Sequence, residues 1–352
     1  MFVGLDIGRQ YVKAVLLERI KGGYKVLDAG LRSVPDPNRA FDPEMVNKTL
    51  WVMAIKELLR QMKLKPNRIR NLVTAIGGSN ISIKQISTLE MPANELYSAM
   101  TFEARKHIAM DGTDAVIDFQ ILGSNPTDID KIDVALVACT KKVLSTHMEV
   151  LKDAGLKPGW VDADPIALSN AFFATRDLPE DGVVVLIDVG AESTSLVVRG
   201  KTDPYFTRDI PIGSYHFVRA VSDARSMDYL SAQDELYKTG IKSIQKPPVE
   251  GEENSIAVDE RTVFDNFVED IRRTLRYYAK TTNQSFFLKI FLSGGASTTA
   301  GLALYIQEKL NIEVALFHPL EKFTGVDKLT LPNPQQYAIA TGLAIRGGLD
   351  NE

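Results

Sequence analysis

The chain has 352 residues, of which 45% are hydrophobic and 24% charged, and its formal net charge is −4. This length indicates two or more subdomains, and the charge is unlike the strongly basic face of a dedicated nucleic-acid-binding protein. Its single cysteine, Cys139, excludes an internal disulfide framework. The sequence contains neither a signal peptide nor an apolar run of the ~18 residues that a membrane span needs, so we expect a cytoplasmic protein.

The first residues predict a β-hairpin whose tip carries the motif Asp-x-Gly. The apolar strand at 3–7 contains Asp6 and leads through Gly8 into a second strand at 11–17. Small residues at such a tip can turn several backbone N–H groups toward an anion, and an aspartate at the strand end can hold a hydrated Mg²⁺ beside it. The hairpin is therefore a candidate phosphate-binding loop.

The stretch after this hairpin predicts half of an α/β fold followed by an insertion. Asp42 and Pro43 are typical of a helix start, and apolar residues continue at helical spacing to Met62. A core strand follows at 72–76. The compositionally distinct block that comes next predicts two strands flanked by two helices, which we interpret as a small α+β insertion.

The second half of the chain repeats the hairpin motif. A helical stretch at 162–175 leads to an apolar strand that contains Asp188 and ends at Gly190, and another strand resumes at 194–198. Two such hairpins facing each other would hold a nucleotide's phosphates from both sides. A mostly helical region follows, and then a strand at 286–292 that ends in Ser-Gly-Gly-Ala.

This series of parts resembles the actin, sugar kinase and heat-shock chaperone ATPase superfamily across nearly the whole chain. Within that superfamily the chain is similar to the PilM family, the actin-like cytoplasmic component of type IV pilus assembly. The narrower resemblance depends on four segments, 154–158, 188–196, 269–278 and 342–346.

The resemblance implies an α/β actin-like ATPase fold, in which two lobes each have a ribonuclease H-like core and the first lobe carries a small α+β inserted subdomain. The implied boundaries are 1–83 and 159–178 for the first-lobe core, 84–158 for the inserted subdomain, 179–224 and 286–352 for the second-lobe core, and 225–285 for a mostly helical subdomain.

The resemblance also implies that ATP and Mg²⁺ bind between the lobes, with Asp6 and Asp188 holding Mg²⁺ through water. The phosphates would be bound by residues of both hairpin tips, Gly8, Arg9, Gln10, Gly190, Ala191, Ser193 and Thr194. Where this chain has Arg9, the family usually has a small or hydroxyl residue, so Arg9 could neutralise phosphate or crowd the loop.

The nucleoside would be bound by residues of the second lobe, Glu235, Lys238, Gly294, Gly295 and Ala296. The spacing of Glu235 and Lys238 is also typical of an exposed ion pair on a helix.

Asp164 is the candidate catalytic residue. An acid followed by proline at the start of a small-residue helix resembles the chaperone ATPases, where the acid orients the attacking water. Aspartate is one methylene shorter than glutamate, and a helix cap is an equally good interpretation of Asp164. We therefore expect slow ATP hydrolysis or none.

The resemblance implies that the partner is the N-terminal cytoplasmic peptide of PilN, a bitopic inner-membrane protein of the PilN/PilO platform. Pilus assembly ATPases and a second copy of the chain are further possible partners. The protein would then be peripheral at the inner membrane through its partners. The peptide groove would lie between the first-lobe core and the inserted subdomain, near Phe102, Val116, Ile117, Phe119, Val134 and Leu136, although such apolar strands are also ordinary core.

The alternative function is a catalytically active polymerising or phosphotransferring ATPase. A sugar kinase should carry a set of Asp, Asn and Arg residues for its substrate, and FtsA-like proteins usually end in an amphipathic membrane helix. We identify neither feature in this sequence, which favours the scaffold over the enzyme.

Overall fold

The computed structural model describes residues 1–107, 115–125, 128–244 and 261–349. Within these ranges three β-sheets are surrounded by α-helices. The strands are β1 (Phe2–Ile7), β2 (Tyr11–Ile20), β3 (Gly23–Ser33), β4 (Leu72–Ile76), β5 (Ile81–Leu89), β6 (Ala115–Ser124), β7 (Lys131–Thr140), β8 (Trp160–Ala163), β9 (Val183–Val189), β10 (Thr194–Arg199), β11 (Phe206–Ile210), β12 (Phe287–Ser293) and β13 (Glu313–Leu316). The helices are α1 (Lys48–Gln61), α2 (Ala93–His107), α3 (Lys141–Asp153), α4 (Asp164–Phe173), α5 (Ser214–Arg225), α6 (Tyr229–Thr239), α7 (Val263–Thr282), α8 (Leu302–Leu310) and α9 (Ala338–Leu349).

The two lobes are built on five-stranded sheets of the same topology. The strand order is β3-β2-β1-β4-β8 in the first lobe and β11-β10-β9-β12-β13 in the second. In both sheets the first three strands of this order are antiparallel neighbours, and the last two run parallel to the central strand. The central strands β1 and β9 are almost wholly buried, since helices cover both faces of each sheet.

Helices α4 and α9 lie between the two sheets and join the lobes. One buried cluster contains Val73 of the first sheet, Leu186 of the second, and Ala167 and Leu343 of the two helices. The helices cross closely at Gly342, where a Cβ atom would lie 1.7 Å from the carbonyl oxygen of Ala167. Only glycine permits this approach of the two backbones.

Two helices begin later than the sequence predicted. Asp42 accepts a hydrogen bond from Glu44 N but caps only a short 3₁₀ turn, and α1 begins at Lys48 with Asn47 as its N-cap. Two good capping residues stand five positions apart, and the extended backbone of Val46 between them separates the turn from the helix. Similarly, the helix predicted from 162 begins at Asp164, because the preceding four residues form β8 and pair with β4.

The inserted region forms a three-stranded antiparallel sheet, β5-β7-β6, with α2 packed on one face. This sheet begins at Ile81, slightly before the predicted boundary at 84. Helix α3, which the prediction placed in the inserted subdomain, packs its Val150 and Leu151 into the first-lobe core beside Leu58. The domain boundaries as a whole stay a prediction.

The inserted sheet also contacts the second lobe. The side-chain oxygen of Gln85 on β5 accepts a hydrogen bond of 2.8 Å from the backbone N–H of Tyr205, just before β11. The inserted sheet is therefore attached to the first lobe covalently and to the second lobe through this contact.

Helix α7 is amphipathic, with Phe264, Phe267 and Ile271 buried and the pair Glu269–Arg272 on its outer side. Among the residues that the structure describes, no helix combines the length and the apolar character needed to cross a membrane.

Candidate functional site

The two hairpin tips close with the same hydrogen bond. Gly8 N donates to Tyr11 O at 3.1 Å in the β1–β2 tip, and Gly190 N donates to Ser193 O at 3.0 Å in the β9–β10 tip. A Cβ atom at either glycine would lie within 2.8 Å of the carbonyl oxygen that accepts this bond. Each tip therefore requires glycine for the tight turn.

Both tips line one cleft of about 1600 Å³ between the lobes. The tips approach each other closely enough for Arg9 Nε to pair with Glu192 Oε2 at 3.1 Å. The first tip is fixed from behind by Trp51, whose indole Nε1 donates to Gly8 O at 2.9 Å. The two glycine-containing turns thus face each other across one part of the cleft.

The floor of the cleft carries Asp6 on β1 and Lys13 on β2. Their side chains form an ion pair of 2.7 Å, because the two residues are directly opposite in the hairpin register. Burial alone would lower the pKa of Lys13, but the carboxylate of Asp6, with those of Asp188 and Asp164, outweighs burial and raises the pKa. Lys13 is thus a charged lysine at the bottom of the cleft.

A row of polar side chains crosses the second sheet, and three of the four line the same cleft as Asp6 and Lys13. The strand register aligns Asp209, Ser195, Asp188 and Ser293, one on each of four neighbouring strands. Ser293 Oγ donates to Asp188 Oδ1 at 2.8 Å. Burial raises the pKa of Asp188 to about 6, against the opposing effect of Lys13, and burial likewise raises the pKa of Asp209 to about 6.

Asp164 lies in the first turn of α4 and also faces the cleft. The N-cap of α4 is Ala163, so the interpretation of Asp164 as a helix cap is wrong. Its carboxyl group occupies the space beside Gly77, where a Cβ atom would lie 1.8 Å from Oδ2. Burial, together with the charges of Asp6 and Asp188, raises the pKa of Asp164 well above its ordinary value.

Asp6, Asp164, Asp188 and Asp209 therefore share one cleft with Lys13. Burial is the main cause of the raised pKa values of Asp164, Asp188 and Asp209, and only for Asp164 do neighbouring carboxylates come next. Such a group of hard oxygen donors favours a hydrated divalent cation over a soft metal. Among the described ranges no set of three or more His, Cys, Asp or Glu side chains is arranged to ligate a metal directly.

The structure brings most of the predicted phosphate-loop residues to the cleft. Gly8, Arg9, Gln10, Gly190, Ala191 and Ser193 all line it. Thr194 is fully buried instead, and its hydroxyl donates to Ile212 O at 2.7 Å. Thr194 therefore fixes the base of the second tip rather than presenting its hydroxyl to the cleft.

The predicted nucleoside residues divide into two groups. Gly295 and Ala296 line the cleft, whereas Gly294 has φ +89° and packs against the backbone of Val189. The side chains of Glu235 and Lys238 do not line the cleft, and Glu235 instead pairs with Arg225 at 3.2 Å. The cleft-facing residues of α6 are its neighbours at helical spacing, Gln233, Leu236 and Tyr237.

The predicted peptide-groove residues lie around the inserted sheet and not in the cleft. Val134 and Leu136 are buried between this sheet and α2, and Ile117 and Phe119 pack partly against them. Phe102 on α2 is 62% exposed, and Val116 is half-buried on the outer strand β6. Of the six residues, Val134 and Leu136 are core, and Phe102 offers the most accessible apolar surface.

The sequence did not predict Lys13 or Asp209 beside the predicted aspartates. It also did not predict Glu192 as the partner of Arg9. The hairpin register would have placed Lys13 opposite Asp6, since the last register pair joins Ile7 to Val12 across the tip residues 8–11. Asp209 joins the row because β11 pairs with β10, the strand that precedes it in the chain. No local pattern in the sequence signals that alignment.

His147 on α3 also lines the cleft, and its Nε2 lies 3.1 Å from Thr74 Oγ1. Burial lowers the pKa of His147 to about 4. Since the unfolded chain binds a proton near pH 6.5 and the folded protein does not, stability is lost as the pH falls from about 6.5 toward 4.

Between pH 7 and pH 5 we expect His147 to reduce the free energy of unfolding by about 2 kcal/mol. His147→Gln should remove this contribution while other titrating groups stay the same. Urea unfolding of both proteins at the two pH values measures the difference, and equal losses in the two proteins would contradict the assignment of a neutral, buried His147.

Comparisons with known proteins agree with this architecture. The family model "Type IV pilus assembly protein PilM" matches residues 4–348. A solved PilM-PilN type IV pilus biogenesis complex contains a chain with 25% identity and a TM-score of 0.80, covering 98% of each chain.

More distant structures share the fold. The ethanolamine utilization protein EutJ from Carboxydothermus hydrogenoformans has a TM-score of 0.53 at 14% identity, over 98% of this chain and 89% of EutJ. A diol dehydratase-reactivating factor in nucleotide-free form has a TM-score of 0.53 at 9% identity, over 98% of this chain and 99% of that protein.

These likenesses confirm the fold expected from the sequence, an actin-like α/β fold of two lobes. The family model extends over both hairpins, the inserted sheet and the helices that join the lobes. This chain is a member of the PilM family of type IV pilus assembly proteins.

Proposed function

We propose that this protein is a nucleotide-binding, actin-like scaffold of a type IV pilus assembly platform, or of a related secretion or DNA-uptake system. In this proposal it binds Mg²⁺-ATP between its lobes and the N-terminal cytoplasmic peptide of PilN on its first lobe. It would be cytoplasmic and reach the inner membrane through this partner. The observation that carries the proposal is the meeting of two glycine tips and several aspartates in one cleft.

The chemistry of the cleft fits the phosphates and the cation of a nucleotide. Asp6 and Asp188 are carboxylates at the ends of the two central strands, where Mg²⁺ could be held through water. Lys13 and Arg9 provide positive charge, and the tip at Gly190 provides backbone N–H groups for phosphate oxygens. The bound cation would neutralise the excess negative charge of the cleft floor.

The nucleoside end is proposed for the part of the cleft between α6 and the turn after β12. Gly295 and Ala296 leave room for a close approach to the backbone, and Tyr237 offers an aromatic ring beside them. The Gln233 amide, which donates to the Tyr237 hydroxyl at 2.9 Å, can also bond to a base or ribose. We propose Gln233 and Tyr237 for the roles first given to Glu235 and Lys238.

The peptide site is proposed on the inserted sheet. The PilM-PilN complex supports a PilN partner for this chain, since the likeness covers 98% of both chains at 25% identity. In the described residues, β6 pairs with β7 on one side only, and the second half of β6 carries the exposed side chains Ile121 and Leu122. An extended peptide could add to such an edge, with main-chain hydrogen bonds for affinity and apolar side chains for specificity.

We propose slow turnover of the nucleotide at most. Asp164 is held beside Gly77 at the start of α4, and its short side chain limits its reach toward an attacking water. Small misplacements of a positioning group cost large factors in rate. The protein would then use nucleotide binding to favour one arrangement of its lobes.

Calorimetric titration with Mg²⁺-ATP, with phosphate release followed in the same sample, tests this function. We expect binding with little release, and a different affinity for the PilN peptide in the nucleotide-saturated and the nucleotide-free protein, as linkage requires. Rapid phosphate release would favour the ATPase alternative. No binding of either ligand would contradict the proposal.

A further inference from the structure

The pair formed by Arg9 and Glu192 joins the two lobes at the narrowest part of the cleft. Arg9 belongs to the first tip and Glu192 to the second, and Nε and Oε2 are 3.1 Å apart. We propose that this pair is a latch that holds the tips together in the empty protein, and that a polyphosphate opens it by taking Arg9 from Glu192. This inference builds on the proposed nucleotide site.

Two contacts within its own lobe hold Arg9 in the position of a latch. Its guanidinium lies over the Trp51 ring at 5.5 Å from the centroid, and Nη1 donates to Pro43 O at 3.4 Å. The same Trp51 donates its indole N–H to Gly8 O, so it fixes both the tip and the arginine beside it. Arg9 is therefore oriented toward the second tip by groups of its own lobe.

Glu192 stands where a negative charge opposes the proposed ligand. Its neighbours in the second tip, Gly190, Ala191 and Ser193, all line the cleft. A carboxylate at this position repels phosphate. In the empty protein it also forms an ion pair with the arginine that phosphate would otherwise bind. The pair therefore lowers the affinity for polyphosphates in two ways.

The latch is weak enough to be opened by a ligand. The side chains of Arg9 and Glu192 are 39% and 44% exposed, and ion pairs of this exposure contribute little to stability. A polyphosphate carries more charge than one carboxylate and presents oxygens that match the planar guanidinium. Exchange of partners by Arg9 would release Glu192, and with it the second tip, from the first lobe.

Four proteins test the latch: wild type, Glu192→Gln, Arg9→Gln and the double variant. Amide hydrogen exchange of the nucleotide-free proteins reports whether the tips are held together. We expect each single variant to speed exchange in peptides spanning 7–12 and 189–194 by about two- to fivefold, and the double variant to add no more.

Calorimetric titration with Mg²⁺-ATP and with inorganic tripolyphosphate reports whether Arg9 leaves Glu192 for the phosphates. We expect about fivefold tighter binding by Glu192→Gln and about tenfold weaker binding by Arg9→Gln. Glu180→Gln is the matched control, because Glu180 pairs with Lys201 at 2.7 Å on the second lobe outside the cleft. This control should behave as wild type in both measurements.

The outcomes separate the latch from the proposed function. Normal Mg²⁺-ATP binding with no gain in Glu192→Gln, or unchanged exchange in both single variants, would overturn the latch alone. Tripolyphosphate binding that tightens in Glu192→Gln, without any binding of Mg²⁺-ATP, would support the latch and overturn the nucleotide site. If neither ligand binds any of the four proteins, both proposals fail.

Discussion

Replacing Asp188 with alanine is expected to weaken Mg²⁺-ATP binding by about a hundredfold and leave the protein folded. Asp188 is the last residue but one of the central strand of the second sheet and lies near Asp6 and Lys13 in the cleft. It is a half-buried carboxylate whose ionised form is disfavoured, as its raised pKa shows. Its removal therefore costs the empty protein little and deprives the bound cation of a main partner.

Calorimetric titration of the two proteins measures this effect, and the unfolding midpoint of each in urea checks the fold. Asp181→Ala is a suitable control, because Asp181 precedes the opposite end of the same strand and is exposed. Its affinity should equal that of wild type. Unchanged affinity in Asp188→Ala would remove Asp188 from the proposed site.

The second large effect is expected on stability, from Gly342→Ala in α9. Alanine usually stabilises a helix relative to glycine by about 1 kcal/mol. Here the new methyl carbon would lie 1.7 Å from the backbone oxygen of Ala167, which cannot move without shifting α4. Overpacking against the backbone outweighs the gain in helix propensity, so we expect a net loss of about 2 kcal/mol or more.

Gly347→Ala in the same helix is the matched comparison. Its methyl carbon would meet Val73 Cγ2 at 3.1 Å, a side-chain atom that can move by a few tenths of an ångström. We expect a change within about 1 kcal/mol, since the propensity gain and the small crowding oppose each other. Equal unfolding free energies for the two variants would contradict the close packing of α4 against α9.

Local patterns in the sequence predicted the parts of the fold that depend on local chemistry. The two hairpins were predicted because an apolar strand that runs into an Asp-x-Gly tip is a short-range signal, and the strand 72–76 appears as β4. The four-residue strand β8 was not recognised. It is too short to show a period of two, and its strand character depends on pairing with β4.

The site residues that the sequence did not predict depend on geometry between distant elements. Glu235 and Lys238 have plausible chemistry for a nucleoside, but the helical phase of α6 turns Gln233 and Tyr237 to the cleft instead. The contact of Arg9 with Glu192 depends on how the lobes face each other. Neither effect is visible in the propensities of single residues or in local spacing along the chain.

The matching strand order of the two large sheets has a consequence for how a ligand is oriented. Because the order and directions are the same, the two tips that meet in the cleft are near equivalents. Two equivalent backbone turns cannot by themselves distinguish one end of a bound molecule from the other. Polarity must come from what the lobes do not share, which is α6 in the second lobe, the three-stranded sheet in the first, and the opposite charges of Arg9 and Glu192 at the two tips. Substitutions at the shared glycines should therefore alter how tightly a molecule is held, whereas substitutions in the parts that differ should decide its orientation.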